Sequence, residues 1–298
     1  MSMRIAVLGA GSIGCLIAAK LVDSGHDVLV HARGEHGATL AVNGLIITGE
    51  WNKKIDPVDW TVSLDEAGIH PSLEKSFDQV IITCKAKDTE NLSKLASMLA
   101  DGPALSLQNG LGNHETLQRY FHENTAVGVT TNAVKRISPG QIEWVGRGTL
   151  VIGGPKGEEF AETLDSMDAE YEKDVSSILW NKLLINVAIN PLAAICGVTN
   201  GELRHEPLIS QAESTMLEAA SIARVLGISI LSDGELLSNL HSVLDSTADN
   251  ICSMLADVKA GRETEIDVLC GQVVSRGEQL GVPTPLNSML YSQIKSLR

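Results

Sequence analysis

The 298-residue sequence has no C-x-x-C pair, no H-x-H or H-x-x-x-H pair and no extended run of Lys or Arg. Its five cysteines, Cys15, Cys84, Cys196, Cys252 and Cys270, are odd in number and scattered. That spacing argues against a disulfide framework. Several of them lie in apolar runs, where a free thiol behaves as a small hydrophobe, so a reducing, cytoplasmic setting is expected. The histidine spacing gives no expected metal site. Lys and Arg number 23 against 37 Asp and Glu, a net charge of −14. Such an acidic chain is not expected to bind nucleic acid or an anionic membrane surface, and an anionic ligand would need a local basic cluster. The apolar stretch Ile5 to Ala19 resembles a signal peptide only superficially. Glycines at 9, 11 and 14 interrupt it, and a strand-like segment follows Gly25.

What is present is ordinary for a globular protein: 44% hydrophobic and 20% charged residues. The length suits two domains better than one. Residues 1–170 alternate strand and helix patterns, and residues 171–298 are helical throughout. The expectation is a doubly wound Rossmann-type α/β domain followed by an all-α domain.

The first half opens on Arg4 to Leu8, a short apolar run suited to a parallel strand buried on both faces. Gly9-Ala10-Gly11-Ser12-Ile13-Gly14 follows, then a helical pattern to about Ser24 and a second strand from Asp27 to Ala32. A G-x-G-x-x-G in that setting carries a mechanism. The first glycine makes a tight turn, the second lets backbone approach a pyrophosphate, the third packs helix on strand, and the helix N-terminus attracts phosphate. The end of the second strand carries Arg33 where an NAD site would carry Asp or Glu. A guanidinium suits a 2′-phosphate, so NADP(H) is the expected cofactor, with Glu35 close enough to temper strict preference.

Further strands are expected at Leu45 to Thr48, Gln79 to Thr83, Ala104 to Leu107 and Ala126 to Val129, with helices at Asp88 to Leu99 and Asn113 to Phe121. Lys85 and Gln108-Asn109-Gly110 fall just past strand ends, where ligands of such sheets bind. Asn132 to Ile137 and Gln141 to Val145 read as a hairpin, with Thr149 to Ile152 as a third short strand. An acidic amphipathic segment, Glu158 to Ala169, closes this half. Helices are then expected at Val175 to Ala194, Leu208 to Leu226, Asp233 to Ala260, Thr264 to Leu280 and near Leu290, broken at Gly197, Gly227, Gly261 and Gly281.

The first of those helices is apolar almost all round, as a helix buried in protein must be. Yet Lys182, Asn186 and Asn190 recur at steps of four, which stacks an ammonium and two carboxamides on one face. Buried groups of this kind need polar partners. A structural hydrogen-bond ladder would satisfy them, and so would a substrate pocket in which Lys182 donates to a carbonyl oxygen.

Taken together, the motifs resemble the ketopantoate reductase (2-dehydropantoate 2-reductase) family over nearly the whole chain. The landmarks are the glycine loop, Lys85-Ala86, Asn109-Gly110, Trp180-x-Lys182-x-x-x-Asn186, Asn190-Pro191-Leu192, Asn200-Gly201-Glu202-Leu203, Asn250-x-x-Ser253-Met254-Leu255 and Thr264-Glu265-Ile266-Asp267. The resemblance implies NADPH-dependent reduction of 2-dehydropantoate to (R)-pantoate, a step toward pantothenate and coenzyme A. It implies Lys182 as proton donor, and Asn109, Asn186, Asn190, Asn200 and Ser253 as substrate contacts, with Asn250 on the same wall. It implies cofactor contacts from Gly9, Ala10, Gly11, Ser12, Ile13, Gly14, Arg33, Lys85 and Asn109, and a backbone contact from Val134. Glu265 would order the end of the site where cofactor and substrate meet. The stretch Val129 to Asn132 departs from the family pattern. A homodimer is compatible with the resemblance.

The residues agree with that chemistry. As hydride reaches a carbonyl carbon, charge develops on the oxygen, and an ammonium can stabilise it and then release a proton. A neighbouring carboxylate such as Glu265 would keep the ammonium charged. Asn250 and Ser253, three apart, would share a helix face. Three other readings stay open from sequence: a reductase of another 2-oxo acid, a non-catalytic NADPH-sensing protein, and a phosphorylated-sugar dehydrogenase. The sensor has no need of Lys182 with Glu265, and the last would want clustered Arg or Lys in the second half.

Overall fold

A computed structural model describes residues 2–65 and 68–297. The chain divides into two compact units, residues 1–108 with 113–175, and residues 109–112 with 176–298.

The first unit is built on β1 (Arg4–Leu8), whose Ile5, Ala6, Val7 and Leu8 are fully buried. With no polar face to offer water, this strand can only be central. It pairs in parallel with β2 (Asp27–Ala32) on one side and β6 (Gln79–Ile82) on the other. Parallel pairing continues from β2 to β5 (Thr61–Leu64), and from β6 through β7 (Ala104–Ser106) to β8 (Thr125–Thr130). The strand order therefore reverses direction at β1 and β6, and the loops leaving these two strands emerge side by side. Ligands of open α/β sheets bind at such a switch point.

Each sheet face covers its own core. Ile5, Val7, Val28, Val30, Ile81 and Leu105 pack with Leu16 and Ile17 of α1 (Ser12–Asp23). The same core takes in Ile47, Ile55, Ile142 and Trp144 from a smaller sheet, β4 (Lys53–Ile55), β3 (Leu45–Gly49), β10 (Gln141–Gly146) and β9 (Ala133–Ser138) in spatial order. On the other face Ala6, Leu8, Leu29, Val80 and Ile82 pack with α3 (Thr89–Leu99) and α4 (Asn113–Phe121). Each fully buried Val, Leu or Ile of these strands contributes about 1.5–3 kcal/mol.

The expected hairpin is present as β9 and β10. The short strand after it, β11 (Leu150–Gly153), leaves the hairpin and pairs antiparallel with β8 of the large sheet. The acidic segment forms a helix only over α5 (Gly157–Thr163) and a following 3-10 turn. Asp168, in the left-handed region at φ 54°, ends that turn, and β12 (Ala169–Tyr171) adds to β11. The helix α2 (Gly34–Asn43) and the strands β4 and β5 have no counterpart in the sequence reading. All three are short and weakly patterned.

The second unit is helical: α6 (Val175–Cys196), α7 (Leu208–Val225), α8 (Asp233–Ser246), α9 (Ser253–Lys259), α10 (Cys270–Leu280) and α11 (Pro285–Ser296). Gly197, Gly227, Gly261 and Gly281, each anticipated as a break, all have positive φ. In that conformation a glycine closes a helix C-terminus without a Cβ clash. The α6 helix is apolar enough to cross a membrane by composition. Here its Leu183, Leu184, Val187 and Ala188 pack with Met216 and Ala219 of α7 and Leu240 of α8.

One expected helix is in fact two. Between Thr247 and Cys252 the chain is not helical, so Asp233 to Ala260 splits into α8 and α9. The Ala248 and Asn250 carbonyls accept from Gly201 N at 2.9 Å and Asn200 N at 3.0 Å. Those acceptors are committed to another segment instead of to a helical ladder. Likewise Thr264 to Leu280 opens as a 3-10 turn, Ile266–Val268, before α10 begins.

Candidate active site

In the first unit the glycine loop has the shape its spacing requires. Gly9 has φ +112°, and a Cβ there would lie 2.6 Å from Cys84 N. A Cβ on Gly14 would meet the Gly9 carbonyl oxygen at 2.1 Å. Thr83 Oγ1 donates to Gly9 O at 2.6 Å and fixes the turn against the neighbouring strand. Gly11 differs, because nothing lies within 4 Å of where its Cβ would be. Its backbone is thus open to a ligand. The helix it caps, α1, has no side-chain cap and no acid in its first turn. Open backbone and an unblocked, positively polarised N-terminus fit the pyrophosphate of a dinucleotide.

Arg33 follows β2 and caps α2, with Glu35 in the first turn of that helix. Its guanidinium pairs with Asp88, Nη2 to Oδ2 at 2.9 Å and Nη1 to Oδ1 at 3.4 Å. Lys85 follows β6 and caps the 3-10 turn Ala86–Asp88. Gln108 turns inward, donating to Cys84 O at 3.0 Å and Thr89 Oγ1 at 2.7 Å and accepting from Ser106 Oγ at 3.0 Å. It ties the ends of β6 and β7 together, which removes it from the ligand-lining set.

In the second unit the stripe on α6 is real. Lys182, Asn186 and Asn190 are half-buried between the buried Leu183, Leu184, Val187, Ala188 and Ile189. Residues 109–112 belong to this unit although their sequence neighbours do not. Leu111 N donates to Val268 O at 3.0 Å, and Leu111 is buried in the helical core. Gly110, at φ +79°, lies so close that a Cβ would meet the Val268 carbonyl oxygen at 2.3 Å. This tether sets Asn109 against the stripe. Lys182 Nζ donates to Asn109 Oδ1 at 2.8 Å, and Asn109 Nδ2 donates to Glu265 Oε2 at 3.3 Å. The two charges orient the carboxamide between them, oxygen to the cation and nitrogen to the anion. Burial pushes the Lys182 ammonium down to about 8, and the Glu265 carboxylate opposes that fall. A lysine so placed is charged at neutral pH and can release its proton, as a general acid must.

Residues 5–157 match the family described as Ketopantoate reductase PanE/ApbA, and residues 174–298 match its C-terminal part. The chain belongs to the ketopantoate reductase family. It is 35% identical to the 2-dehydropantoate 2-reductase of Pyrococcus horikoshii over 99% of this chain and 97% of that protein. Identity to the 2-dehydropantoate 2-reductase of Archaeoglobus fulgidus is 31%, over 99% of this chain and 97% of that one. The crystal structure of a PanE/ApbA family ketopantoate reductase from Ralstonia eutropha JMP134 superposes with a TM-score of 0.89 at 29% identity, covering 99% of this chain and 98% of that one. As a ketopantoate reductase family member the chain is an oxidoreductase, with the Rossmann-type sheet and helical second half that the family's structures share.

The other expected site residues fall as follows. Asn200 precedes the 3-10 turn Gly201–Arg204 and is buried, its Nδ2 donating to Thr247 Oγ1 at 2.9 Å. Thr247 Oγ1 in turn donates to Val243 O at 2.6 Å. Its single proton is thereby committed, so the Asn200 nitrogen must be the atom facing it and the Asn200 oxygen faces elsewhere. Asn250 lies in the non-helical break and Ser253 opens α9, so they do not share a helix face as their spacing suggested. Both are exposed. Cys252 Sγ lies 3.7 Å from Asn190 O, which ties this break to the stripe. Val134 sits on β9 opposite Trp144. The divergent stretch before it is structural at Asn132, whose Oδ1 accepts from Trp144 Nε1 and Gly148 N, each at 3.1 Å.

Sequence reasoning passed over Thr247 and Asp88. Neither carries a motif signal, because the partner that gives each its role, Asn200 for Thr247 and Arg33 for Asp88, is distant in sequence.

Proposed function

We propose that the chain reduces 2-dehydropantoate to (R)-pantoate with NADPH, a step toward pantothenate and coenzyme A, with Lys182 as the proton donor. The observation that carries this reading is the 2.8 Å contact from Lys182 Nζ to Asn109 Oδ1, within reach of Glu265, on a helix whose neighbouring residues are mostly apolar and buried. When bound, the reduced nicotinamide supplies hydride to the C2 carbonyl carbon. The Lys182 ammonium stabilises the charge that develops on the carbonyl oxygen and then gives that oxygen its proton. Asn109 holds the ammonium in place and Glu265 keeps it charged. Asn186, Asn190, Asn200 and Ser253 offer neutral donors and acceptors for the substrate carboxylate and hydroxyl, with Asn250 beside them.

On the cofactor side, Gly9 to Gly14 take the pyrophosphate and Arg33 the 2′-phosphate. Lys85, Asn109 and the Val134 backbone complete those contacts. In this reading residues 1–170 hold the cofactor and residues 171–298 the substrate. The five free thiols support a cytoplasmic location.

The test is NADPH oxidation by the purified protein across a panel of 2-oxo acids that includes 2-dehydropantoate, pyruvate, 2-oxoisovalerate and phenylglyoxylate. The reading expects the highest kcat/KM with 2-dehydropantoate. A higher value with another member would reassign the substrate, and no oxidation with any of them would remove the reductase reading.

A further inference from the structure

The cation expected to receive the 2′-phosphate already holds an anion. Asp88 ends the 3-10 turn after β6 and stands at the N-cap position of α3, yet its side chain makes no cap hydrogen bond to that helix. Its two oxygens instead meet the two terminal nitrogens of Arg33, at 2.9 and 3.4 Å. The backbone holds Asp88 in place, since its N donates to Lys85 O at 2.9 Å. The Asp88 side chain is 22% exposed against 59% for Arg33, so the carboxylate is the better-fixed partner and sets where the guanidinium lies. Asp88 and, more weakly, Asp65 both favour the charged guanidinium.

We propose that Asp88 is a specificity-determining residue that competes with the cofactor's 2′-phosphate for Arg33 and so narrows the preference for NADP(H) over NAD(H). The proposal rests on the reading of Arg33 as the 2′-phosphate ligand. A fork of two N–H groups donates to one carboxylate or one phosphate in similar geometry. A 2′-phosphate must therefore displace Asp88 or lie beside it, and either course opposes binding through lost pairing or like-charge repulsion. A 2′-hydroxyl incurs neither penalty, and it can donate to the Asp88 carboxylate without disturbing the pair. An acid near the adenosine ribose usually comes from the end of the second strand. Here that strand end carries the arginine, and the acid comes from the turn after β6.

The experiment is isothermal titration calorimetry of the full chain with NADP+ and with NAD+, for wild type, Asp88→Asn and Arg33→Ala. Asp88→Asn should tighten NADP+ by about twofold to fivefold, the scale of a partly exposed ion pair, and leave NAD+ unchanged or weaker. An unchanged ratio of the two dissociation constants would overturn the proposal. So would weaker NADP+ binding by Asp88→Asn, which would make Asp88 a prop that presents Arg33 to the phosphate. Arg33→Ala separates the two layers of inference. If wild type prefers NADP+ and Arg33→Ala abolishes that preference, the reading of Arg33 stands and the Asp88 result decides the proposal alone. If wild type shows no preference and Arg33→Ala changes neither ligand, the reading beneath it has failed as well.

Discussion

The Lys182 ammonium donates to the Asn109 carboxamide oxygen at 2.8 Å, although 73 residues separate them in the chain. The contact exists because residues 109–112 are docked onto the helical unit through Leu111 and Gly110. Asn109 therefore acts directly on the ammonium proposed as the proton donor. Replacing it by Ala removes an acceptor from a charged group, an effect of about 1.5–3 kcal/mol. Steady-state kinetics should show kcat lowered by about 10- to 100-fold. An unchanged kcat with only a raised cofactor KM would mean that Asn109 serves the cofactor alone.

The pH dependence follows from the same group. Burial lowers the Lys182 ammonium to about 8, so the fraction able to donate a proton falls as pH rises through that value. The rate of reduction should be level below about pH 8 and drop tenfold per unit above it, in a profile of kcat against pH. Glu265 opposes the lowering. Glu265→Gln should therefore move the descending limb to lower pH, and a limb that stays put or rises would contradict the assignment.

Arg33→Ala should raise the KM for NADPH by one to two orders of magnitude, the scale of about 1.5–3 kcal/mol for a charge-assisted contact. The KM for NADH should change little. Equal weakening toward both would show that Arg33 does not read the 2′-phosphate.

Much of this was legible beforehand because it is local. The strand Arg4 to Leu8, the glycine turn and the steps of four on α6 each need only a few consecutive residues to declare themselves. What stayed hidden depends on partners far away in sequence. The split at Thr247 to Cys252 arises because its carbonyls bond the segment around Asn200, and no periodicity inside the segment reveals that. Gln108 sat at a strand end where ligands bind, yet four hydrogen-bonding groups of its own unit claim its side chain. Asp88 stands only as the first residue of the expected helix Asp88 to Leu99 until Arg33 is placed opposite it.

Ser253 opens α9 and is exposed, so the fold depends on it little. Ser253→Ala should raise the KM for the 2-oxo acid while NADPH binding and Tm stay close to wild type. A drop in Tm with unchanged kinetics would return this residue to a structural role.

The proton-donor assignment is most exposed to test at Lys182. If its ammonium stabilises charge that develops only in the transition state, removing it lowers kcat far more than it weakens substrate binding. Loss of a general acid typically lowers the rate by about 10²–10⁴-fold, and Lys182→Ala should fall in that range with NADPH affinity intact. A structural anchor would behave differently, because its loss would strip Asn109 of a partner and appear chiefly as a lower Tm. Lys182→Arg separates charge from proton delivery. Arginine preserves the positive charge beside Asn109 but does not readily release a proton near neutral pH, so the donor reading expects low turnover and no alkaline limb near pH 8. An anchor reading expects Arg to be tolerated. Near-normal turnover by a folded Lys182→Ala protein would end the proposal that Lys182 gives the proton.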